Sequence, residues 1–379
     1  MGARVLVTGG LGFIGSHLTD ALLAEGREVV VLDSLEARVH GDNPQPRLPS
    51  GVRWVRGDVR DPAAWRLALE GVGLVFHQAA YQDYMPDYSR FFEVNVAGTA
   101  RLYELLAAGA GAVERVVVAS SQSVYGEGQY NCDRHGRQLP LARSATQLQR
   151  GEWEVHCPIC GAVMRPRPLE EDFPNPCNAY ALSKLGQEMA ALRLGRQIGV
   201  PTVALRYSIT QGSRQSPHNA YSGVCRIFTQ RLLAGLAPVV YEDGLQRRDY
   251  VDVGDVVEAN LQAARDERMN WGAYNVGSGR ATTVLDYAHA LGRTLGIERT
   301  PVLAGQYRVG DNRHSVSSIE RLTALGWSPR RSLDSTMAAY VAWYRAGGFQ
   351  ENSNAALSAM QAAGVVRQAA PAPPPVARP

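Results

Sequence analysis

The string TGGLGFIGSH, directly after the strand-like run RVLV, constrains the fold more than any other stretch of this sequence. It spaces Gly9, Gly12 and Gly15 as G-x-x-G-x-x-G and opens a helix near Phe13. Glycines at this spacing permit a tight turn, a close backbone approach to a pyrophosphate and close packing of helix on strand, with the phosphates at a helix N-terminus. A glycine triplet alone is weak evidence. Its context gives it force: Asp33 ends the next strand 18 residues after Gly15, where a carboxylate accepts hydrogen bonds from ribose hydroxyls. That carboxylate repels a 2′-phosphate, so the expected cofactor is NAD rather than NADP, with Arg38 close enough in sequence to argue the other way.

The rhythm around this turn agrees with it. ARVLVT, REVVVLD, VRWVRGD, LVFHQAA and RVVVASS are short β-branched runs separated by amphipathic stretches. This is the alternation of a parallel, doubly wound sheet of Rossmann type, an α/β fold. It breaks near Gln129, and residues 129–168 are polar, carry CDRHG and CPICG, and hold no sustained period. They read as an insertion. Regularity resumes in the long amphipathic helix NAYALSKLGQEMAALRLGRQIG and the strand PTVALRY. Residues 1–128 and 169–206 are therefore assigned to the dinucleotide domain and 207–350 mainly to a smaller C-terminal α/β substrate lobe. The Pro- and Ala-rich stretch 351–379 is expected to be a tail without structure.

Composition excludes several classes. The chain has 379 residues, 45% of them hydrophobic, and a formal net charge of only +3, so nothing marks a nucleic-acid surface. No stretch of about 20 apolar residues occurs and MGARVLVTGG enters a strand at once, so no membrane partner and a cytoplasmic location are expected. Three of the five cysteines, Cys132, Cys157 and Cys160, fall in the insertion. Cys132 and His135 form C-x-x-H, and Cys157 and Cys160 form C-x-x-C after a spacer of 21 residues. The expectation is a closed structural zinc site of Cys3His type, with His156 as the alternative to His135.

Tyr180 and Lys184 lie four apart on the long helix and share a face. A tyrosine with a reference pKa of about 10 is a poor base at neutral pH, and a nearby ammonium is expected to favour the phenolate. With these motifs the sequence resembles the extended short-chain dehydrogenase/reductase family, especially its nucleotide-sugar epimerase and dehydratase branch. Within it the likeness is to dTDP-L-rhamnose 4-epimerase-like and UDP-glucose 4-epimerase-like members. The resemblance implies cofactor contacts from Gly9, Gly12, Phe13, Ile14 and Gly15 in the turn, and from Asp33 and Ser34 at the ribose. It adds Asp58 and Val59 at the adenine, Gln78, Ala79 and Ala80 along the cofactor, and Asn95, Tyr180, Lys184 and Tyr207.

Matching S-S-x-x-V-Y-G implies that Ser121 is the catalytic hydroxyl beside Tyr180 and Lys184, with Ser123 as a second hydroxyl. Dehydratases of the branch follow that hydroxyl with Asp-Glu, whereas here Gln122 and Ser123 follow. The implied reaction is thus inversion at carbon 4 through a 4-keto sugar, with NAD tightly held and regenerated. The substrate contacts implied are Gln82, Asn219, Tyr221 and Val224, with Arg248, Arg308 and Asp311 at the nucleotide end, and Tyr81 and Tyr84 shaping the sugar pocket. Ile209 stands where galactose-type relatives carry an asparagine, which suits a less polar 6-deoxyhexose such as that of dTDP-L-rhamnose. A homodimer is expected, with the insertion as a lid or dimer contact. The alternatives are another reaction on the same scaffold (carbon 2 epimerisation, reduction, dehydrogenation or decarboxylation) and a silent NAD-binding partner protein.

Overall fold

A computed structural model describes residues 4–41, 48–83, 85–217, 223–347, 349 and 353–370. The β-branched runs form strands β1 (Arg4–Thr8), β2 (Val29–Asp33), β3 (Val52–Arg56), β4 (Val72–His77) and β5 (Arg115–Ser121). Strands β6 (Gln129–Cys132), β7 (Gly136–Gln138) and β8 (Arg165–Arg167) belong to the insertion, and β9 (Thr202–Tyr207) follows the long helix. One seven-stranded parallel sheet runs in the order Ala273–Val276, β9, β5, β4, β1, β2, β3. Side chains alternate across it: Val5 and Val7 pack with Leu18 and Leu22 on one face, and Leu6 with Trp65 and Leu102 on the other. The order reverses between β1 and β4, and a crevice at such a switch point is where ligands of open α/β sheets sit.

The lobe boundary expected at 207 is crossed twice. Strand Ala273–Val276 completes the main sheet beside β9, and helix Val253–Arg265 buries Val256, Ala259 and Ala263 in the main core. The rest of the lobe packs helices Gly223–Leu233, Val284–Leu295 and Leu333–Gly347 around Phe228, Leu232, Tyr287, Leu291 and Tyr340. The tail expected from about 351 onward is also corrected. Residues Ser353–Ala362 are helical, and Val366–Gln368 pairs antiparallel with Gln306–Arg308, burying Val366 and Ala369. The proline-rich composition begins only at Pro371, so the residues before it keep backbone donors and apolar groups for pairing. Among the described residues no helix is long and apolar enough to cross a membrane.

At the end of β4, His77 is fully buried between the hydroxyls of Thr8 at 2.7 Å and Thr99 at 2.9 Å. Burial, reinforced by Lys184, holds its imidazole down to about 3, so it stays neutral in the fold. The unfolded chain binds that proton below about pH 6.5, so stability is lost as pH falls from there towards the folded value, by at most about 1.4 kcal/mol per unit. His77→Gln is expected to flatten the fall of unfolding free energy between pH 6 and pH 4 in urea titrations. An unchanged slope contradicts it.

Candidate functional site

The crevice at the switch point opens into one cavity of about 560 Å³ that runs from the glycine turn to the second lobe. Gly9 adopts φ +66, and a Cβ on it would sit 2.9 Å from the Ala79 backbone. At Gly15 a Cβ would meet the Gly9 carbonyl oxygen at 2.0 Å. Gly12 caps helix Phe13–Ala24 with no side-chain bond and no acid in the first turn, so the helix presents free N–H groups to an anion. Asp33 ends β2 and accepts from the backbone N–H of Leu11 at 3.0 Å and of Leu35 at 2.9 Å, which fixes its carboxylate at the cavity wall. Arg38 is engaged by the Tyr81 hydroxyl at 2.6 Å and by Asp83 and Asp87, which removes the argument for a 2′-phosphate. These residues fit an NAD cofactor.

Helix Ala179–Ile198 starts where the Asn178 side chain accepts from the Ala181 N–H at 2.9 Å, and it ends on Gly199 in the left-handed conformation. It sets Tyr180 and Lys184 on the cavity side, opposite the end of β5. There Ser121 caps a short helical turn by accepting from the Ser123 N–H at 3.1 Å, and its side chain hydrogen-bonds Tyr180. The side chains alone do not produce the expected lowering of the Tyr180 pKa. Burial pushes it up to about 12, with the bond from Ser121 working the other way. The Lys184 ammonium donates to the Ala119 carbonyl at 2.5 Å and to Gln187 Oε1 at 2.6 Å, and burial holds it down to about 7.

Most residues expected at the cofactor and substrate line this one cavity: Phe13, Ile14, Ser34, Asp58, Val59, Gln78 and Ala80, with Tyr207, Gln82, Ser123 and Val224. Asn95 does not. It is fully buried in a π-helical turn, Phe92–Ala97, bonded to both backbone groups of Tyr81 and to Ser183 Oγ, so it supports the wall from behind. Asn219, Tyr221 and Tyr84 lie outside the described residues. Arg248 lines the far end, but its guanidinium is committed to the carbonyls of Arg247, Asn312 and Arg313 and to Asp311, at 2.8–3.4 Å. It braces a turn more than it faces a ligand. Arg308, over the Tyr241 ring at 5.5 Å, and Asp311 also line that end. Sequence reasoning missed Tyr241, Gln246 and Tyr250 there, and the only signal was their proximity to Arg248.

The insertion is an antiparallel three-stranded sheet, β7-β6-β8, with its own core of Tyr130, Val155 and Met164. It brings Cys132, His135, Cys157 and Cys160 together, with ligand atoms within 4.8 Å of one another. Each pair is followed by a glycine at positive φ, Gly136 at +66 and Gly161 at +71, which lets the chain double back. The His135 Nδ1 lies 3.6 Å from the Cys132 sulfur and 3.5 Å from that of Cys157, and the Cys132 and Cys160 sulfurs are 3.7 Å apart. A tetrahedral zinc with bonds of about 2.3 Å to sulfur and about 2.0 Å to nitrogen has edges of roughly 3.5–3.8 Å. The donor set fits such an ion, whereas His156 falls outside the cluster.

The sequence model of the NAD dependent epimerase/dehydratase family matches residues 5–145 and 158–277. The chain belongs to that family. Among its relatives, a dTDP-L-rhamnose 4-epimerase of Burkholderia thailandensis is 31% identical over 90% of this chain and 95% of its own length. A solved UDP-glucose 4-epimerase of Thermus thermophilus in complex with NAD is 32% identical, with a TM-score of 0.71 over 91% of this chain and 100% of that one. The Thermotoga maritima UDP-glucose 4-epimerase with UDP-glucose superposes with a TM-score of 0.74 at 29% identity, over 91% of this chain and 99% of that one. The residues left unmatched between the two stretches, 146–157, fall inside the insertion and end on the ligand Cys157.

Proposed function

We propose that this family member is an NAD-dependent epimerase of a nucleotide-linked hexose, inverting carbon 4 through a transient 4-keto sugar. The observation that carries this reading is the Ser121–Tyr180 contact in a cavity bounded by the glycine turn and by Arg308 and Asp311. NAD, when bound, supplies the hydride acceptor at carbon 4 and the donor on return. Ser121 orients the sugar 4-hydroxyl and relays its proton to Tyr180, which holds it while the ketone exists and gives it back. Burial opposes the phenolate, so positive charge must lie close. Lys184 has one ammonium hydrogen left beyond its bonds to Ala119 and Gln187.

Dehydration is disfavoured by the same wall. Gln122 follows Ser121 and accepts from the Ser315 hydroxyl at 3.0 Å, and among the described residues the carboxylates lining the cavity are Asp33, Glu36, Asp58 and Asp311. None of these four neighbours Ser121 in sequence. Ile209 also lines the cavity, which supports a 6-deoxyhexose such as that of dTDP-L-rhamnose. A tightly held NAD, a homodimer and a cytoplasmic location complete the proposal. Purified protein incubated with UDP-glucose, UDP-galactose and dTDP-L-rhamnose, without added NAD, is expected to equilibrate dTDP-L-rhamnose with its carbon 4 epimer fastest. No conversion of any of them contradicts the reading.

The proposal also assigns zinc to the insertion, in a structural role because four protein ligands leave no open position. Elemental analysis of protein prepared without chelator is expected to give about one zinc per chain. Absence of zinc from protein whose insertion is folded removes the assignment.

A further inference from the structure

The spacer between the two ligand pairs, residues 136–156, reaches away from the metal cluster and into the substrate lobe. Arg143 grips Glu242 with both terminal nitrogens, each 3.0 Å from a carboxylate oxygen, and donates to the carbonyls of Asp311 at 3.0 Å and Trp153 at 2.9 Å. Glu154 accepts from Arg313 at 2.7 Å. Arg313 also donates to Glu242 at 2.9 Å and to both oxygens of Asp243, and its backbone N–H meets Glu127 at 2.6 Å. The side chains of Arg143, Glu127, Glu242 and Arg313 are 0–3% exposed. Charges this deeply buried hold their geometry, because removing one partner leaves another uncompensated.

The cluster encloses the turn from Arg308 to Arg313. The Asp311 carbonyl is held by Arg143 from the insertion side, and the next two carbonyls are held by Arg248 from the lobe side at 2.8 and 3.0 Å. Arg308, Gly310, Asp311 and Asn312 line the cavity from this same turn. The Trp153 ring lies 6.2 Å from that of Tyr307, beside Arg308, and the Gln149 carbonyl accepts from Ala370 at 2.7 Å, just past the strand that pairs with Arg308. Glu154 stands three residues before the ligand Cys157. A metal that joins the two ligand pairs closes the spacer into a loop and limits how far Arg143 and Glu154 can withdraw.

We infer that the insertion is a strut: Arg143 and Arg313 are positioning residues through which the metal cluster sets the 308–312 turn for the nucleotide of the substrate. The inference rests on the reading of Arg308 and Asp311 as the nucleotide end of the cavity. Loss of the metal, or of the Arg143 fork, weakens nucleotide binding and leaves the glycine-turn end untouched. A lysine at 143 keeps the charge and loses the two-pronged geometry.

The test uses the full-length protein with its NAD, and calorimetry with UDP and dTDP as probes. Chelator-treated protein, Cys160→Ser and Arg143→Lys are each expected to raise the nucleotide Kd by about tenfold, as for coupling through a packed ionic network. KM for the sugar nucleotide is expected to rise in parallel, with kcat falling less than about threefold and NAD per chain unchanged. Glu154→Gln, at a half-exposed position, tests the strut where Cys160→Ser does not fold. Zinc-free protein or Arg143→Lys with the wild-type Kd overturns the strut, as does loss of NAD in step with nucleotide affinity. Wild-type protein that binds neither nucleotide overturns the reading of the cavity end, and the strut with it.

Discussion

Tyr180→Phe is expected to lower kcat by about 10³-fold, the scale of a lost acid–base group. The side chain packs in a small cluster with Tyr81 and Phe91, its ring 6.3 Å from that of Phe91, so a phenyl ring fills the same space. What disappears is the oxygen bonded to Ser121, and with it the carrier of the hydroxyl proton. Released NAD per chain, measured after denaturation, is expected to match wild type, because the glycine turn and Asp33 are untouched. Activity within tenfold of wild type contradicts the assignment of Tyr180. The pH profile sharpens the point. Tyr180 stands at about 12 before any ligand contributes charge, so the wild-type rate is expected to rise with pH over the range in which Lys184, held down to about 7 by burial, keeps its proton, and the Phe variant to lose that rise.

Gly15→Ala is expected to strip the cofactor. The added methyl would stand 2.0 Å from the Gly9 carbonyl oxygen and 2.9 Å from the Gly10 Cα, so the helix and turn must separate by more than an ångström. Overpacking against a side chain costs roughly 1–3 kcal/mol, and here both contacts are backbone, so the strain cannot be shed by a rotamer change. The displaced atoms are those of the phosphate-binding turn. NAD content is expected to fall below about a tenth of wild type with the circular dichroism of the sheet retained, a loss of at least about 1.4 kcal/mol in binding. Retention of full NAD content in Gly15→Ala contradicts the placement of the pyrophosphate.

The parts of this molecule that the sequence announced are those whose determinants are local. The glycine turn, Asp33 at the end of β2, the shared face of Tyr180 and Lys184, and the two ligand pairs each span a few residues with a spacing that the backbone alone enforces. What stayed hidden depends on distant partners. Arg248 stood among the residues expected at the nucleotide, but carbonyls about 65 residues further on occupy its guanidinium. The strand Val366–Gln368 has no signal of its own, since its partner Gln306–Arg308 supplies the register. Asn95 is turned inward by a π-helical turn that no propensity scale marks, and the direction of the Tyr180 shift is set by burial rather than by the spacing to Lys184. The Arg143–Glu242–Arg313 cluster joins three segments far apart in the sequence, and no local spacing links them.

The central claim, a hydride shuttle at carbon 4 without elimination, is tested most directly by proton NMR of the reaction run in heavy water with dTDP-L-rhamnose and UDP-glucose as substrates. The account predicts the carbon 4 epimer with no solvent deuterium at any sugar carbon and no net NADH. A 4-keto-6-deoxy product carrying deuterium would contradict it.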